Sequence, residues 1–316
     1  MLRTPLLFLS NAAWARSLIT RFGFARRTAY RFVAGEKPDD AIAAIRALNG
    51  RGINATLDHL GESVTNQVAA TRATEDYLFV LEKIHANDVR ANVSIKLTQF
   101  GLDLGEDFCT DNVRRVLRKA GECNNFVRID MEDSLHTDRT LRVFRRLHQE
   151  FEHVGIVLQA YLFRTEADLK ELMTEHARVR LCKGAYQEPP DKAFPRKADV
   201  DANYLRLGKM LLEHARDLPP ANEAGRIPPL PAIATHDAKI IGAVEAHVAA
   251  TGLPHHYFEF QMLYGIRRDL QERLAADGYP VRVYVPYGTE WYPYFMRRLA
   301  ERPANVWFFL SNFLRN

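Results

Sequence analysis

The sequence predicts a (β/α)8 barrel, in which eight parallel strands alternate with eight helices. After residue 50, short segments with the two-residue apolar alternation of strands recur eight times, and each precedes a longer segment with helical periodicity. The chain has 316 residues, which suits one barrel of the usual ~250 residues with an N-terminal extension. No Gly-x-Gly-x-x-Gly turn follows an early strand, as a doubly wound nucleotide-binding sheet would need. One uninterrupted run of alternating units therefore favours the barrel.

The eight predicted strands are short and bounded by turn-forming residues. They cover residues 53–57, 92–97, 126–130, 155–159, 179–182, 231–234, 256–260 and 281–285. The helices that follow them are predicted within residues 76–85, 111–121, 137–151, 166–176, 203–217, 238–252, 267–276 and 289–301, the last with Thr289 as its N-cap. Prolines mark the connecting loops at 187–196 and 219–231, because proline lacks the N–H that helices and sheets use.

Residues 1–50 are predicted to form an N-terminal helical segment, and residues 51–316 the barrel domain. Within residues 14–32, arginines interleave with large apolar side chains, which gives a basic amphipathic pattern. Such a segment either packs on the body of the protein or lies on a membrane surface, and packing is the more common outcome. A second helix is expected to begin at Asp39 or Asp40 and to end at Asn49.

Composition narrows the class of protein. The net charge of +4 is mild for this length, and no dense Lys/Arg run suggests a nucleic-acid partner. Cys109, Cys123 and Cys182 show neither disulfide nor zinc spacing, and no HxH or HExxH pair suggests a metal site. No apolar run approaches the roughly 20 residues of a membrane span. We therefore expect a cytoplasmic protein, with peripheral contact to the inner face of the cell membrane left open by its N-terminal helices.

Polar side chains gather where the predicted strands end. In a barrel these carboxyl ends form the catalytic face. The residues found there are Glu62, Lys96, Asp130, Gln159, Arg180, Lys183, His236, Gln261 and Tyr284. Lys96 and Asp130 end successive strands and should form an ion pair, which either serves the site or only fixes the register of the barrel.

The last helix carries a second cluster of charge. Tyr294, Arg297, Arg298 and Glu301 fall at i, i+3, i+4 and i+7 and share one face. Two adjacent guanidinium groups can bind a carboxylate through bidentate hydrogen bonds, although spacing alone favours a solvated basic face, because arginine is mostly exposed. Lys183 or Lys96 could instead form a Schiff base, which would make the protein a lyase.

Seven motifs resemble those of one enzyme family. They are SIKLTQFG at 94–101, RIDMED at 128–133, VLQAYL at 157–162, RLCKGAY at 180–186, ATHD at 234–237, FEFQMLYGIR at 258–267 and RVYVPYGTEWYPYFMRRLAERPAN at 282–305. In this order they are similar to the stand-alone bacterial proline dehydrogenases. The motifs span all of the predicted barrel except its first strand.

The resemblance implies a fold and an activity. The fold would be a distorted (β/α)8 barrel of the TIM type, with the final helix above the carboxyl ends of the strands. The activity would be oxidation of L-proline to Δ1-pyrroline-5-carboxylate, the first step of proline catabolism to glutamate. Hydride would pass from C5 of proline to N5 of FAD, and the electrons then to a membrane quinone. Because no DNA-binding segment is recognised, repression of transcription is not expected.

The resemblance also implies roles for particular residues. Asp130 and Arg180 would be catalytic, with Arg180 near flavin N5. Proline would be bound by Lys96, Leu263, Tyr284, Tyr294, Arg297 and Arg298. FAD would be bound noncovalently by Met131, Gln159, Arg180, Cys182, Lys183, Gly184, Ala185, Thr235, His236 and, less directly, Gln261. Glu62 is expected to pair with Arg297 and to gate the site, and no metal ion is expected.

The chemistry sets one further expectation. A hydride can leave C5 only as the nitrogen lone pair forms an imine, so the substrate amine must be neutral. A cluster of cations would favour the neutral amine by raising the free energy of a further positive charge. Such a cluster would consist of Lys96, Arg180, Arg297 and Arg298. An alternative of a different class is a non-catalytic membrane module built on residues 1–35. Neither it nor the lyase explains the joint presence of Lys96, Asp130, Arg297 and Arg298.

Overall fold

A closed barrel of eight parallel strands forms the centre of the molecule. The computed structural model describes residues 23–61, 63–217 and 225–301. The strands are β1 (Asn54–His59), β2 (Ala91–Ile95), β3 (Val127–Ile129), β4 (Val154–Gln159), β5 (Arg178–Cys182), β6 (Pro231–Ala234), β7 (Glu259–Leu263) and β8 (Val281–Tyr287). They pair in chain order, and β8 closes on β1. The predicted (β/α)8 architecture is confirmed.

Ten α-helices lie within the described ranges. They are α1 (Gly23–Ala29), α2 (Pro38–Asn49), α3 (Gln67–Ala86), α4 (Glu106–Glu122), α5 (Thr137–His148), α6 (Thr165–Thr174), α7 (Lys197–His214), α8 (Ala238–Thr251), α9 (Arg268–Ala276) and α10 (Trp291–Glu301). Three 3-10 turns are formed by Leu97–Phe100, Ala215–Asp217 and His255–Tyr257. The part of the predicted amphipathic segment before residue 23 lies outside the described residues, whereas its later part contains α1.

The first and last strands are longer than the sequence indicated. β1 continues to His59 and β8 to Tyr287, because the two strands stay paired to Asp58 opposite Pro286 and His59 opposite Tyr287. Pro286, which we expected to end the strand, is tolerated within it. Its carbonyl accepts a hydrogen bond from the Ala34 N–H at 2.8 Å, on the side away from β1. The extension places Asp58 inside the barrel and not in the following loop.

The seventh strand is shifted from its predicted position at 256–260. Pro254 leads into the 3-10 turn at His255–Tyr257, and β7 begins only at Glu259. The fixed φ of proline favours this turn. Gln261, expected just beyond a strand end, therefore lies in the middle of β7, and residues 256–257 are not in the sheet.

Helix α2 takes a place in the outer ring of helices. It packs against β1 and β8 through a buried face that contains Ile42, Ile45 and Leu48. Its N-cap is Lys37 and not Asp39 or Asp40, while the Asp40 carboxylate accepts a hydrogen bond from the Lys37 N–H at 3.1 Å. Because α2 covers the gap between the first and last strands, α10 is free to lie over the mouth of the barrel.

The chain between α1 and α2 packs on α10. Phe32 and Val33 are buried in an aromatic cluster with Phe295, whose ring centroid lies 6.4 Å from that of Phe32. Packing on the body is therefore the outcome for this described part of the N-terminal segment. None of the helices in the described ranges is long and apolar enough to cross a bilayer.

The interior of the barrel is polar. The main apolar core lies between the sheet and the outer helices, whereas barrels of this class usually fill their interior with branched apolar side chains. The buried polar residues on the strands are Thr56, Asp58, Asn92, Ser94, Arg128, Gln159, Arg180, Glu259, Gln261 and Arg282. Burying a charge is unfavourable unless it is paired, so the strands must bring complementary groups together.

The loop after β7 makes a close backbone contact with Arg31, in the chain between α1 and α2. A Cβ atom at Gly265, where φ is +74°, would lie 1.8 Å from the Arg31 carbonyl oxygen. Gly252 has a similar φ of +65° and open space around it. We expect Gly252→Ala to lower the free energy of unfolding by about 1–2 kcal/mol, and Gly265→Ala by roughly twice that or more, because overpacking adds to backbone strain. Urea unfolding measures both, and equal losses would contradict the contact with Arg31.

Candidate active site

A cavity of about 690 Å³ opens at the carboxyl ends of the strands, under α10. This volume lies in the usual range of small-molecule sites. Every predicted site residue in the described ranges lines it: Lys96, Asp130, Met131, Gln159, Arg180, Cys182, Lys183, Gly184, Ala185, Thr235, His236, Gln261, Leu263, Tyr284, Tyr294, Arg297 and Arg298. Glu62, the predicted gate, lies outside the described residues. The dispersed motifs therefore converge on one cavity.

Lys96 lies between two aspartates at the floor of this cavity. Its ammonium group donates to Asp58 at 3.0 and 3.1 Å, and lies 3.9 Å from the Asp130 carboxylate. The predicted pairing with Asp130 is confirmed, but the shorter contact is with Asp58, which the sequence analysis did not single out. The signal for Asp58 would have been its position two residues after Thr56 on the same strand face.

Asp130 is the hub of the floor. It accepts hydrogen bonds from the Ser94 hydroxyl at 2.6 Å, Arg180 Nη1 at 2.7 Å and the Tyr284 hydroxyl at 2.8 Å. Burial and the charge of Asp130 hold the pKa of Tyr284 well above its usual value, so this phenol stays protonated and donates. The Arg180 guanidinium also lies 5.5 Å from the centre of the Tyr284 ring. Asp130 thus fixes three side chains from three other strands.

The charges on the floor cancel. Lys96 and Arg180 supply two positive charges, and Asp58 and Asp130 supply two negative charges. Burial alone would lower the pKa of Lys96, but the two aspartates outweigh burial and leave that pKa raised. A Schiff-base lysine needs a depressed pKa. Lys96 is therefore unsuited to that role.

Lys183 is also held by carboxylates. Its ammonium donates to Asp201 at 2.5 Å and to Asp237 at 3.0 Å, and Lys197 contacts the same two aspartates. Lys197 and Asp201 come from the start of α7, and the sequence analysis did not single them out. In the described parts of the chain, no three histidine, cysteine or carboxylate side chains are arranged to hold a metal ion.

The chain after β5 turns sharply beside the cavity. Gly184 has a φ of +110°, and a Cβ there would lie 2.3 Å from the Tyr161 ring. Only glycine fits this turn, which leaves the backbone from Cys182 to Ala185 close to the cavity. Burial raises the pKa of the Cys182 thiol to about 12, so it lines the site as a neutral group.

Two polar side chains here have defined hydrogen-bonding roles. Gln159 donates to the Met131 carbonyl at 3.3 Å, while its buried Oε1 has no hydrogen-bond partner in the described structure. His236 Nε2 accepts from the Leu263 N–H at 2.8 Å, which places the proton of a neutral imidazole on Nδ1. An unsatisfied buried acceptor is rare in native proteins and indicates a donor from a ligand or water.

Helix α10 turns its cationic face to the cavity. Arg298 is only 7% exposed, and its guanidinium carbon lies 4.9 Å from the centre of the Tyr294 ring. The alternative of a solvated basic face is therefore wrong. An N-cap at Thr289 would make Glu290 the first helical residue, but the helix begins one residue later, at Trp291. Tyr186, the last residue of the RLCKGAY motif, also lines the cavity.

Comparison with known proteins identifies the family. The sequence model described as proline dehydrogenase matches residues 41–310. The chain belongs to the proline dehydrogenase family. This membership confirms the resemblance that the motifs carried, and it includes the first strand, for which no motif was recognised.

Full-length relatives of this family are similar to the chain. It is 46% identical over 292 residues to the proline dehydrogenase of Deinococcus radiodurans, which covers 91% of this chain and 90% of that protein. It is 40% identical over 315 residues to proline dehydrogenase 1 of Bacillus subtilis, which covers 100% of both chains. The similarity thus extends over nearly the whole of these relatives.

The fold is similar to part of a larger solved structure. That structure is proline utilization A (PutA) from Bdellovibrio bacteriovorus inactivated by N-propargylglycine, with a TM-score of 0.79 and 27% sequence identity. The match covers 91% of this chain and 34% of that chain, so this chain spans about a third of its length.

The pairing of Lys96 with Asp58 is testable by stability. We expect Lys96→Met to lower the free energy of unfolding by roughly 3 kcal/mol or more, because it leaves the Asp58 carboxylate buried without its cation. Lys96→Met with Asp58→Asn should regain most of this loss. Lys170→Met removes a largely exposed lysine paired with Glu166 and should change stability by less than about 1 kcal/mol. Chemical denaturation would contradict the pairing if the losses at Lys96 and Lys170 were equal.

Proposed function

We propose that this protein is an FAD-dependent proline dehydrogenase that oxidises L-proline to Δ1-pyrroline-5-carboxylate, the first step of proline catabolism. The observation that carries the proposal is the position of Arg297 and Arg298 above an electrically neutral floor, in a member of this family. That arrangement suits a substrate with two features, a carboxylate that the arginines bind and a small ring that the rest of the cavity holds. A small cyclic amino acid has both features.

The residues present fit FAD. Gln159 Oε1 is a buried acceptor without a partner, and an N–H of the flavin ring system would satisfy it. The tight turn at Gly184 leaves the backbone from Cys182 to Ala185 beside the cavity, and Lys183 and Lys197 are cations suited to phosphates. When bound, FAD supplies the hydride acceptor and the route for electrons to a quinone. Its further contacts would be Met131, Arg180, Cys182, Ala185, Thr235, His236 and Gln261.

The substrate carboxylate would lie against α10. Arg297 and Arg298 are adjacent, and guanidinium groups bind carboxylates by bidentate hydrogen bonds. Lys96 would be a third cationic partner from the floor. With its carboxylate fixed, the pyrrolidine ring has little freedom left to turn, and such orientation supplies much of an enzyme's rate.

Three side chains would wall the substrate ring. Tyr284 and Tyr294 are buried or nearly so, and Leu263 packs against the aromatic cluster of α10. The Tyr284 hydroxyl is already bonded to Asp130, so it presents an apolar ring face without an unsatisfied hydroxyl. These residues would exclude water from the reacting carbon.

The floor charges affect the amine. The sequence suggested four cations near the substrate, but Asp58 and Asp130 neutralise Lys96 and Arg180. The cations that remain to favour a neutral substrate amine are Arg297 and Arg298, and the substrate carboxylate offsets part of their effect. A neutral amine is still required because its lone pair must form the imine.

Two further assignments complete the proposal. We place the enzyme in the cytoplasm, with a membrane quinone as electron acceptor and peripheral membrane contact through the N-terminal helices. Glu62 would gate the site by pairing with Arg297. The lyase alternative is disfavoured because aspartates raise the pKa of Lys96, and because the Lys183 amino group is engaged by Asp201 and Asp237.

The visible absorption spectrum of the purified protein tests the proposal. An FAD enzyme shows the bands of an oxidised flavin, and anaerobic L-proline should bleach them, whereas hydroxyproline should not. A colourless protein that FAD does not restore would refute the dehydrogenase, and trapping of a substrate adduct by borohydride would then favour the lyase.

Arg298 should govern affinity for the substrate carboxylate. We expect Arg298→Met to lower kcat/KM for proline by about 100-fold or more, which corresponds to roughly 3 kcal/mol for a truncated charge pair. Arg273→Met, on the partly exposed face of α9, should leave kcat/KM nearly unchanged. Steady-state kinetics compares the two variants, and a similar small effect of both would refute the role of Arg298.

The rate should depend on the protonation of the substrate amine. We expect kcat/KM to rise as the pH increases from about 6 to about 9, because the neutral fraction of the amine rises with pH. The phenol of Tyr284 should not titrate in this range, since its pKa is held well above its usual value. Initial rates at several pH values give the profile, and a flat profile would contradict the requirement for a neutral amine.

A further inference from the structure

A file of polar side chains continues below Arg180 into the barrel. It consists of Gln261 and Glu259 from β7 and Arg282 from β8, and all three are almost fully buried. Gln261 and Glu259 are two residues apart, as are inward-facing positions of one strand. Gln261 reaches the cavity, whereas Glu259 and Arg282 do not line it.

The file is linked by direct hydrogen bonds. Arg180 Nε donates to Gln261 Oε1, and Gln261 Nε2 donates to the Glu259 carboxylate. Arg282 Nε then donates to both Glu259 oxygens, at 2.8 and 3.1 Å. The carboxylate of Asp130 holds the other side of Arg180 through Nη1. The Arg180 guanidinium therefore lies between the Gln261 amide and the Asp130 carboxylate and donates to both.

The chemistry of the file allows one orientation of the Gln261 amide. Its oxygen must face the Arg180 guanidinium, which only donates, and its NH2 must face the Glu259 carboxylate, which only accepts. A flipped amide would place two donors together and two acceptors together. Glu259 therefore fixes the amide, and the amide in turn fixes Arg180.

Stability alone does not account for the file. Replacing a buried ion pair by well-packed apolar residues is often neutral or stabilising, so Glu259 and Arg282 are not explained as core packing. Arg282 is anchored at its far end by the Ala55 and Gly225 carbonyls, at 2.8 and 2.9 Å. The file thus connects the rigid lower end of the barrel to the guanidinium at its mouth.

We propose that Gln261, backed by the Glu259–Arg282 ion pair, is a positioning residue that holds Arg180 toward the cofactor. The hydrogen bonds that Arg180 makes to described residues use Nε and Nη1, which leaves Nη2 for the cavity. Gln261 keeps a second N–H for the cofactor contact expected of it. This inference rests on the proposed function for its flavin readouts, but the grip on Arg180 is testable without a flavin.

Two substitutions of Gln261 distinguish positioning from packing. Gln261→Met keeps the length of the side chain and removes both hydrogen bonds. Gln261→Glu keeps the shape, and its protonated form reproduces the amide, since the carbonyl accepts from Arg180 and the O–H donates to Glu259. Its ionised form would lie against the negative charge of Glu259. Arg180 contacts Asp130 on its other side, and Glu259 contacts Arg282. Adjacent carboxylates share a proton, so this variant should titrate at raised pH.

The first readout is the Nε–H resonance of Arg180 in the full-length protein labelled with ¹⁵N-arginine. We expect Gln261→Met to shift this resonance at every pH, and Gln261→Glu to shift it only as the pH rises from about 6 to about 9. Gln271→Met is the matched control, because Gln271 is also a buried glutamine with two hydrogen bonds but does not touch Arg180. An unshifted resonance in Gln261→Met, or an equal shift in Gln271→Met, would overturn the inference.

The second readout uses the holoenzyme. We expect Gln261→Met to weaken FAD binding by about 10- to 100-fold, as for loss of a hydrogen bond to a charged group. The flavin midpoint potential of Gln261→Glu should match the parent at low pH and fall below it as the new carboxyl ionises. A constant difference at all pH values would refute positioning. If the parent binds no FAD, the proposed function fails, while the Arg180 resonance still decides whether Gln261 holds Arg180.

Discussion

The ion pair between Lys96 and Asp58, shared with Asp130, is the constraint on which the site depends. A charged group in a barrel interior is tolerated only if strands from several units bring its partners within a few ångströms. Asp58 lies on β1, Lys96 follows β2 and Asp130 follows β3, so the three groups meet through the register of three adjacent strands. Closure of the barrel brings Arg180 from β5 and Tyr284 from β8 to Asp130. The strand register and the closure of the barrel together assemble the site.

Neutrality of this floor gives α10 its importance. If Lys96 and Arg180 were unpaired, an anion would be attracted to any part of the cavity. Because the two aspartates cancel them, we expect Arg297 and Arg298 to determine where a substrate carboxylate binds. Helix α10, which carries them, packs on the chain between α1 and α2, where the Phe32 ring lies beside that of Phe295. Residues outside the cavity thus help to position the arginines of the proposed carboxylate site.

The sequence predicted the barrel and most of the site because periodicity and strand exits are local properties. The alternation around Lys96 and the acidic turn at Asp130 located two residues that the structure brings together. Asp58 and the true place of Gln261 were missed because strand ends depend on pairing with a neighbour. β1 extends only because β8 does, and β7 is delayed by a turn at Pro254. The burial of Arg298 was likewise undecided by spacing, since it depends on where α10 lies.

The most direct test of this account is a crystal structure of the protein with FAD and tetrahydrofuran-2-carboxylate, which keeps the carboxylate and ring of proline but has no amine to oxidise. The account predicts the carboxylate between Arg297, Arg298 and Lys96, with the ring between Tyr284 and the flavin. It also predicts that Lys96 keeps its contact with Asp58. A carboxylate bound to Lys183 and Lys197, with the arginines of α10 turned away, would contradict the division into a neutral floor and a cationic wall.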